Sequence, residues 1–179
     1  MADSRPAKLR LFFALWPDEE VCQRIVRDTE RAISATGATP VPSSNYHVTL
    51  AFLGEISASS LGDIVRICGD IRFRHFLLQL DRTGYWPRSR IAWLGPSQCP
   101  LELEALVDDI WNKLVELGFR QELRPYQPHV SLCRKASGGL GMRLDTPINW
   151  SVDSFVLAQS TPGEAGPVYT VLEQFAAGD

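Results

Sequence analysis

The tetrapeptide His47-Val48-Thr49-Leu50 returns later in the chain as His129-Val130-Ser131-Leu132. Each copy carries a histidine, a hydroxyl residue two positions later, and apolar residues at the alternate positions. A β-strand directs residues i and i+2 to one face, so each segment predicts a strand with histidine and hydroxyl together and the apolar pair facing the core. Two such strands side by side would offer two imidazoles and two hydroxyls to one small anion. This arrangement suits phosphoryl transfer with one histidine as base and the other as acid.

The third histidine, His75, has no hydroxyl residue two positions later, and we predict that it is structural or exposed. A single His-x-Thr would be weak evidence, because most strand histidines are ordinary hydrogen-bonded surface or core groups. The repetition favours a catalytic interpretation of His47 and His129 over two unrelated strand histidines.

Composition is that of an ordinary globular protein: 179 residues, 45% hydrophobic, 22% charged, and a formal net charge of −3. The apolar run 11–16 after a basic start is too short for a signal peptide, and no segment is long enough to span a bilayer. Four scattered cysteines without a C-x-x-C pair are predicted to be reduced: Cys22, Cys68, Cys99 and Cys133. We therefore expect an unanchored, cytoplasmic protein, and a monomer.

Strands and helices alternate along the chain. The predicted strands are 9–15, the first motif up to Gly54, 73–80, 89–94, the second motif after Pro128, 148–159 and 169–175. The predicted helices run from a cap at Asp18 to about Ser34, over 61–71, and from Pro100 to Gly118. A loop over 81–88 would join a hairpin.

Residues 1–179 are predicted to form one two-lobed domain, because no stretch resembles a linker: the glycine-rich stretch 137–141 is short and lies close to the second motif. Each half contains a substantial helix and one motif strand, which predicts a pseudo-symmetric α+β fold with antiparallel sheets. No G-x-G-x-x-G or Walker sequence is present, which argues against a nucleotide-binding α/β fold.

The paired motifs resemble those of the two-histidine phosphoesterase superfamily, also called LigT-like. Further segments resemble its RNA 2',3'-cyclic phosphodiesterase branch over essentially the whole chain: 9–15, 45–54, Trp93-Leu94-Gly95, 128–135 and 166–172. The resemblance implies a bilobal fold in which two antiparallel sheets line a central cleft, with helices packed outside. It also implies hydrolysis of a terminal 2',3'-cyclic phosphate on RNA or a nucleotide to a 2'-phosphomonoester, and in bacterial and archaeal members a reversible 2'-5' RNA ligation.

The resemblance implies a role for each motif residue. His47 would donate a proton to the leaving 3'-oxygen and His129 would activate water, although the near-symmetry of the motifs leaves the reverse assignment open. Imidazole titrates near neutral pH and serves either task. Thr49 and Ser131 would donate hydrogen bonds to the non-bridging phosphoryl oxygens.

Arg134 matches the basic residue that follows the second motif in the family, and its planar guanidinium could hold a phosphate oxygen. Strict alternation from His129 points Cys133 at the site and Arg134 away from it, so this role requires a bulge or the end of the strand. The alternative is a solvated arginine at a strand terminus.

A basic stretch is a candidate RNA contact. Residues 72–90 hold five arginines against Asp81 alone, together with Tyr85 and Trp86. Aromatic rings among arginines can stack on bases while the cations follow the backbone. The alternative is a solvated hairpin whose rings cover the core.

Two other functions compete with this hypothesis. The proposed chemistry needs no metal or organic cofactor, whereas a zinc hydrolase would use His47, His129 and Cys133 as ligands and leave the paired hydroxyls unexplained. A module that binds nucleotide or RNA ends without turnover is the second alternative. The two intact motifs favour an enzyme.

Overall fold

The computed structural model describes residues 7–138, 141–164 and 166–178; residue 5 of the basic start and residues 139–140 of the glycine-rich stretch lie outside them. The described strands are β1 (Lys8–Leu15), β2 (Thr39–Pro40), β3 (Val48–Ser57), β4 (Phe76–Trp86), β5 (Ile91–Gly95), β6 (Val130–Arg134), β7 (Arg143–Val152), β8 (Ser154–Thr161) and β9 (Val168–Ala176). The described α-helices are α1 (Glu19–Ala35), α2 (Leu61–Cys68) and α3 (Leu101–Glu116), with short 3-10 turns at Ser43–Asn45 and Ala58–Ser60. No helix in these ranges is long and apolar enough to cross a membrane.

The strands form two antiparallel sheets, each with one motif strand. The first has the order β3-β1-β8-β9 and the second β2-β6-β5-β4-β7. A unit of strand, helix and motif strand occurs twice, as β1-α1-β3 and as β5-α3-β6. The predicted pseudo-symmetric α+β architecture is confirmed. The symmetry is not complete along the chain, because the last two strands, β8 and β9, belong to the first sheet.

Each of the two long helices packs against the sheet that it does not follow in sequence. Helix α1 leaves the first sheet and lies against β6 and β7 of the second, whereas α3 leaves the second sheet and contacts β3 of the first. Buried side chains from both sheets, such as Phe13 and Leu80, belong to one hydrophobic cluster. Relative movement of the two sheets would open this shared apolar core to water, which is unfavourable.

Local sequence signals explain the two long helices. Asp18 caps α1, since its carboxylate accepts a hydrogen bond from the Val21 backbone N–H at 2.8 Å. In α3 one face of apolar residues, with helical spacing, is buried: Leu103, Leu106, Val107, Ile110, Trp111 and Leu114. Gly118 follows with φ 86°, a backbone conformation that ends a helix at low cost for glycine.

The predicted hairpin loop over 81–88 is wrong, because β4 continues to Trp86 and the turn lies at 87–90. Gly84, inside the predicted loop, pairs with Trp93 on β5, and a Cβ at this position would overlap the Trp93 ring. Here a glycine marks close approach of a side chain inside a strand.

Other predicted boundaries also need correction. The predicted strand 148–159 is two strands in different sheets, β7 and β8, which meet at Asp153. Asp153 continues the alternation of apolar and polar residues along the end of β7, so the sequence pattern does not mark the change of sheet. The first motif strand passes Gly54, whose φ of 72° accommodates a bulge, and ends at Ser57. Helix α2 ends at Cys68, and the strand predicted from residue 73 begins at Phe76.

Replacing the α1 cap, Asp18→Ala, is expected to lower the free energy of unfolding by about 1 kcal/mol, because the Val21 N–H loses its acceptor. Urea unfolding followed by circular dichroism measures the change. Asp109→Ala on the exposed side of α3 is the matched control and should leave stability within about 0.5 kcal/mol. Equal losses in both variants would argue against the cap.

Candidate active site

Both motif histidines are held in the same way. Nδ1 of His47 lies 2.7 Å from the carbonyl oxygen of Asn45, and Nδ1 of His129 lies 2.8 Å from that of Gln127. A carbonyl only accepts, so the proton of each neutral ring is assigned to Nδ1. The Nε2 lone pair of each imidazole is then free to take a proton.

The first of these anchors is itself fixed from a distant part of the chain. The Asn45 side-chain amide donates to the backbone carbonyl of Pro167 at 2.9 Å. This bond joins the segment before β3 to the loop before β9, at the opposite edge of the first sheet. The position of the His47 ring therefore depends on contacts across the whole sheet.

The two motifs lie close to each other. Tyr126, three residues before His129, donates its hydroxyl to the backbone carbonyl of Thr49 at 3.0 Å. Burial, together with nearby positive charge on His129 and Arg134, lowers the pKa of His47 to about 4, against the opposing effect of its bond to Asn45. Burial also lowers the pKa of His129. Both rings are therefore neutral at pH 7 in the free protein.

A bulge follows each hydroxyl residue. On β6, Ser131 pairs with Trp93 and Cys133 with Ala92, so Leu132 is an additional residue. On β3, Thr49 pairs with Ala14 and Ala51 with Phe13, so Leu50 is additional in the same way. Each bulge reverses the alternation beyond it.

The bulge places Arg134 on the same face as Ser131. Leu132 and Cys133 are consecutive residues and both are fully buried, while Arg134 is exposed. Its charge is also among the causes of the lowered pKa of His47. The bulge that the anion-binding hypothesis required is therefore present. The residue at the corresponding position of β3 is Phe52, whose ring is 45% exposed.

The aromatic surroundings of the two histidines differ. Trp16 stacks on His47 with ring centres 5.6 Å apart and planes at 12°, while Phe12 and Tyr169 each lie 5.1 Å away. His129 meets Trp86 edge-on at 4.4 Å. Sequence reasoning missed Trp16 and Tyr169, although both directly adjoin or lie in segments that carried the family resemblance.

Other sequence candidates lie elsewhere. His75 is exposed at the start of β4, as predicted. Cys133 is fully buried on the core side of β6, so the zinc set of His47, His129 and Cys133 is not brought together. Among the described residues, no three histidine, cysteine or acidic side chains are grouped closely enough to hold a metal ion.

The arginines of the basic stretch have different roles. Arg90 bonds to the carbonyls of Lys135 and Ala136, and Arg72 to those of Gly69 and Ile71, so both support local backbone. Arg82 instead lies over the Trp93 ring, with its guanidinium carbon 5.6 Å from the ring centre. Only part of the stretch therefore adjoins the second motif.

Two antiparallel sheets that each supply a histidine, a hydroxyl and a bulged strand are the arrangement expected of a two-histidine phosphoesterase. The model of the family described as LigT like phosphoesterase matches residues 15–93. The RNA 2',3'-cyclic phosphodiesterase of Escherichia coli K12 is 36% identical over 170 residues, 93% of this chain and 96% of that protein. The enzyme of that name from Thermus thermophilus is 30% identical, over 94% of this chain and 90% of its own.

A solved structure agrees with the sequence relatives. Escherichia coli LigT complexed with 3'-AMP superposes with a TM-score of 0.88 and 33% identity, covering 97% of this chain and all of that one. The chain belongs to the LigT-like phosphoesterase family.

NMR titration of the histidine ring protons is expected to show His47 titrating near pH 4, well below 6.5. Arg134→Gln should raise this midpoint, because the cation that opposes a second positive charge is gone. Lys135→Gln, which alters the neighbouring exposed cation, is the control and should not move it.

The lowered pKa of His47 also makes the stability of the protein depend on pH. Between about pH 6.5 and 4 the unfolded chain binds a proton at His47 that the folded chain does not, so the free energy of unfolding falls as pH falls through this window. A His47 midpoint near 6.5 would mean that the ring is open to solvent and would contradict both expectations.

Proposed function

We propose that this protein is an RNA 2',3'-cyclic phosphodiesterase that opens the cyclic phosphate at the end of an RNA or nucleotide to a 2'-phosphomonoester. The observation that carries this proposal is the pair of imidazoles whose Nδ1 atoms are engaged by carbonyls and whose Nε2 atoms are available. The names and near-complete coverage of the relatives supply the substrate.

The proton path in this proposal takes its acid and its base from the family's pattern. His129 Nε2 takes a proton from water as its oxygen attacks phosphorus, the bond from phosphorus to the 3'-oxygen breaks, and His47 gives its Nε2 proton to that oxygen. The 2'-phosphate remains on the ribose. Base and acid on opposite sides of phosphorus suit in-line displacement.

His47 must be charged before it can donate, although it is neutral at pH 7 in the free protein. An anionic phosphodiester beside the ring favours the imidazolium, as any nearby opposite charge does. The stacked face of Trp16 favours it as well, since an aromatic face attracts a cation. Substrate binding therefore raises the pKa of His47 toward the working range of a general acid.

Three further groups would hold the phosphate. Thr49 and Ser131 donate their hydroxyl protons to the non-bridging oxygens, where charge increases in the transition state. Arg134, brought to the same face by the bulge, supplies a charge-assisted hydrogen bond. With the 5'-hydroxyl of a second RNA in place of water, the same steps join the two strands by a 2'-5' linkage.

The remaining expectations rest on the fold and the cysteines. We propose that the chain works as one two-lobed unit, because neither sheet holds both motifs. Four free cysteines, two of them buried, fit a reducing cytoplasm. The motifs meet within one chain, so a monomer suffices for activity.

The experiment that tests this function follows hydrolysis of a short RNA ending in a 2',3'-cyclic phosphate and separates the 2'- and 3'-phosphomonoester products. His47→Ala and His129→Ala should each lower kcat/KM by roughly 10²- to 10⁴-fold, because each removes a proton-transfer group. His75→Ala is the matched control and should retain full activity. The product should be the 2'-phosphate.

Two outcomes would favour the competing functions. Activity that disappears with EDTA and returns with zinc would support a metallohydrolase. Binding of the cyclic end without any turnover would support a non-catalytic binding module.

Arg134→Gln is expected to lower kcat/KM by roughly 10- to 100-fold, the value of a hydrogen bond to a charged group. Lys135→Gln removes an adjacent exposed charge and should change it less than about twofold. Equal losses in the two variants would indicate general attraction of RNA and assign no specific contact to Arg134.

A further inference from the structure

The last residue of β5, Gly95, lies beside His129. Leu94 pairs with Val130, so the next residues along these two antiparallel strands are Gly95 and His129. Gly95 is buried and has the extended backbone of a strand, without a positive φ. Other residues adopt this conformation as readily as glycine does. A glycine at this position therefore has a reason other than conformational freedom.

The space next to Gly95 is filled by backbone. A Cβ at this position would lie 2.6 Å from the carbonyl oxygen of Pro128 and 3.3 Å from the Trp93 ring. The first of these distances is too short for any real side chain, and a backbone carbonyl cannot rotate away as the end of a flexible side chain can. Glycine is required here because the Pro128 carbonyl occupies the place of a side chain.

The Pro128 carbonyl is bonded directly to the backbone nitrogen of His129. The carbonyl one residue earlier, that of Gln127, lies 2.8 Å from Nδ1 of the His129 ring. One three-residue segment thus contains the group that rests on Gly95, the group that orients the ring, and the ring itself. Displacing the Pro128 carbonyl would move His129 relative to the acceptor that fixes its tautomer.

Asp81 keeps the chain after Gly95 in place. It is buried, although the proposed proton path uses no carboxylate. It accepts hydrogen bonds from the backbone N–H and the hydroxyl of Ser97, each at 2.6 Å, and from Arg143 at 3.3 Å. Burial raises the pKa of Asp81, but the bonds from Ser97 and the charges of Arg143 and Arg82 hold it below its ordinary value. The carboxylate is therefore charged, and it ties Ser97 to β4.

The segment that faces Gly95 is held at both of its ends. Tyr126 is hydrogen-bonded to the first motif strand, and Val130 begins β6. A methyl group on Gly95 would have to push the Pro128 carbonyl from 2.6 Å to the 3.4 Å at which ordinary contact begins, a displacement of about 0.8 Å. Because both sides are anchored, this displacement falls on residues 127–129.

The first lobe uses the equivalent position for its own histidine. Trp16 is the counterpart of Gly95, since each follows a leucine paired with the valine after a motif histidine: Leu15 with Val48, and Leu94 with Val130. The Trp16 ring stacks on His47 with ring centres 5.6 Å apart. The same strand position thus adjoins the histidine in both lobes, through a ring in one and through bare backbone in the other.

We propose that Gly95 is a positioning residue for His129: its bare backbone is the surface on which the Pro128 carbonyl rests, and Asp81 holds this surface in place through Ser97. The inference rests on the proposed function, in which His129 activates water, and it adds the residues that hold this base in position.

Gly95→Ala tests the inference with cytidine 2',3'-cyclic phosphate as substrate. It should lower kcat by roughly 10- to 100-fold, because misplacing a catalytic group by about 1 Å costs up to this much. KM should change less than about threefold, since the groups proposed to hold the phosphate lie outside residues 127–129. Gly62→Ala in α2 is the matched control, because its added methyl has no atom within 4 Å. It should retain both constants.

Nuclear magnetic resonance of the ring nitrogens at a pH where both rings are neutral distinguishes positioning from general damage. In the unsubstituted protein both His47 and His129 should carry their proton on Nδ1. Gly95→Ala should lower the share of this tautomer for His129 and leave His47 unchanged. An unchanged His129 tautomer, or equal changes in the two rings, would overturn the inference even if kcat falls.

Ser97→Ala is a second variant that does not endanger folding, because Ser97 is exposed. It removes the hydroxyl bond to Asp81 and keeps the backbone bond, so kcat should fall by only roughly two- to tenfold, with the same change in the His129 tautomer. Gln98→Ala, at the next exposed residue, is its control and should change neither quantity. Should Gly95→Ala fail to fold, Ser97→Ala decides, and a variant with normal kcat and tautomer overturns the inference.

The resonance experiment also separates this inference from the proposed function. If the unsubstituted protein hydrolyses no cyclic phosphate, the proposed function fails. The placement of His129 is then judged by its tautomer alone. It stands if Gly95→Ala changes the His129 ring and spares His47, and it fails if the His129 ring is unaffected.

Discussion

Each motif strand packs against the core on one face, and strict alternation would turn one residue of each consecutive apolar pair, Leu50-Ala51 and Leu132-Cys133, away from that core. A single additional residue after each hydroxyl resolves the conflict. Leu50 and Leu132 occupy these bulges, so the apolar residues that follow remain in the core while the next polar or aromatic position returns to the cleft. The composition of the cleft beyond the hydroxyls depends on this insertion.

Burial gives the histidines both their geometry and their poor basicity. A ring held by a carbonyl at Nδ1 and surrounded by aromatic side chains has one orientation and one available nitrogen. The same surroundings disfavour its charged form, which is why the pKa of His47 falls to about 4. A site of this kind suits an anion, because a negative charge in the cleft would stabilise the charged form of the ring that the protein surroundings disfavour.

The sequence predicted the motif strands, their histidines and the two-sheet architecture, because alternation and repetition are properties of nearby residues. It predicted a role for Arg134 that required a bulge or the end of the strand, but it could not decide between them, since bulges depend on pairing with strands far along the chain. The change of sheet at Asp153 and the strand character of Gly84 were missed for the same reason. Trp16 stacks on His47 only because β1 lies next to β3, a contact that no local pattern contains.

The two lobes share the order of strand, helix and motif strand, but the side chains around their histidines differ. At the position after each bulge, the first lobe has the exposed ring of Phe52 and the second has Arg134. The Trp16 ring stacks on His47, whereas the Trp86 ring is nearly perpendicular to His129. An aromatic face attracts a cation, so the Trp16 ring would favour the charged form of His47 once an anion occupies the site. Repetition of the motif gives each lobe a histidine and a hydroxyl, and divergence around the motif gives the two histidines different surroundings.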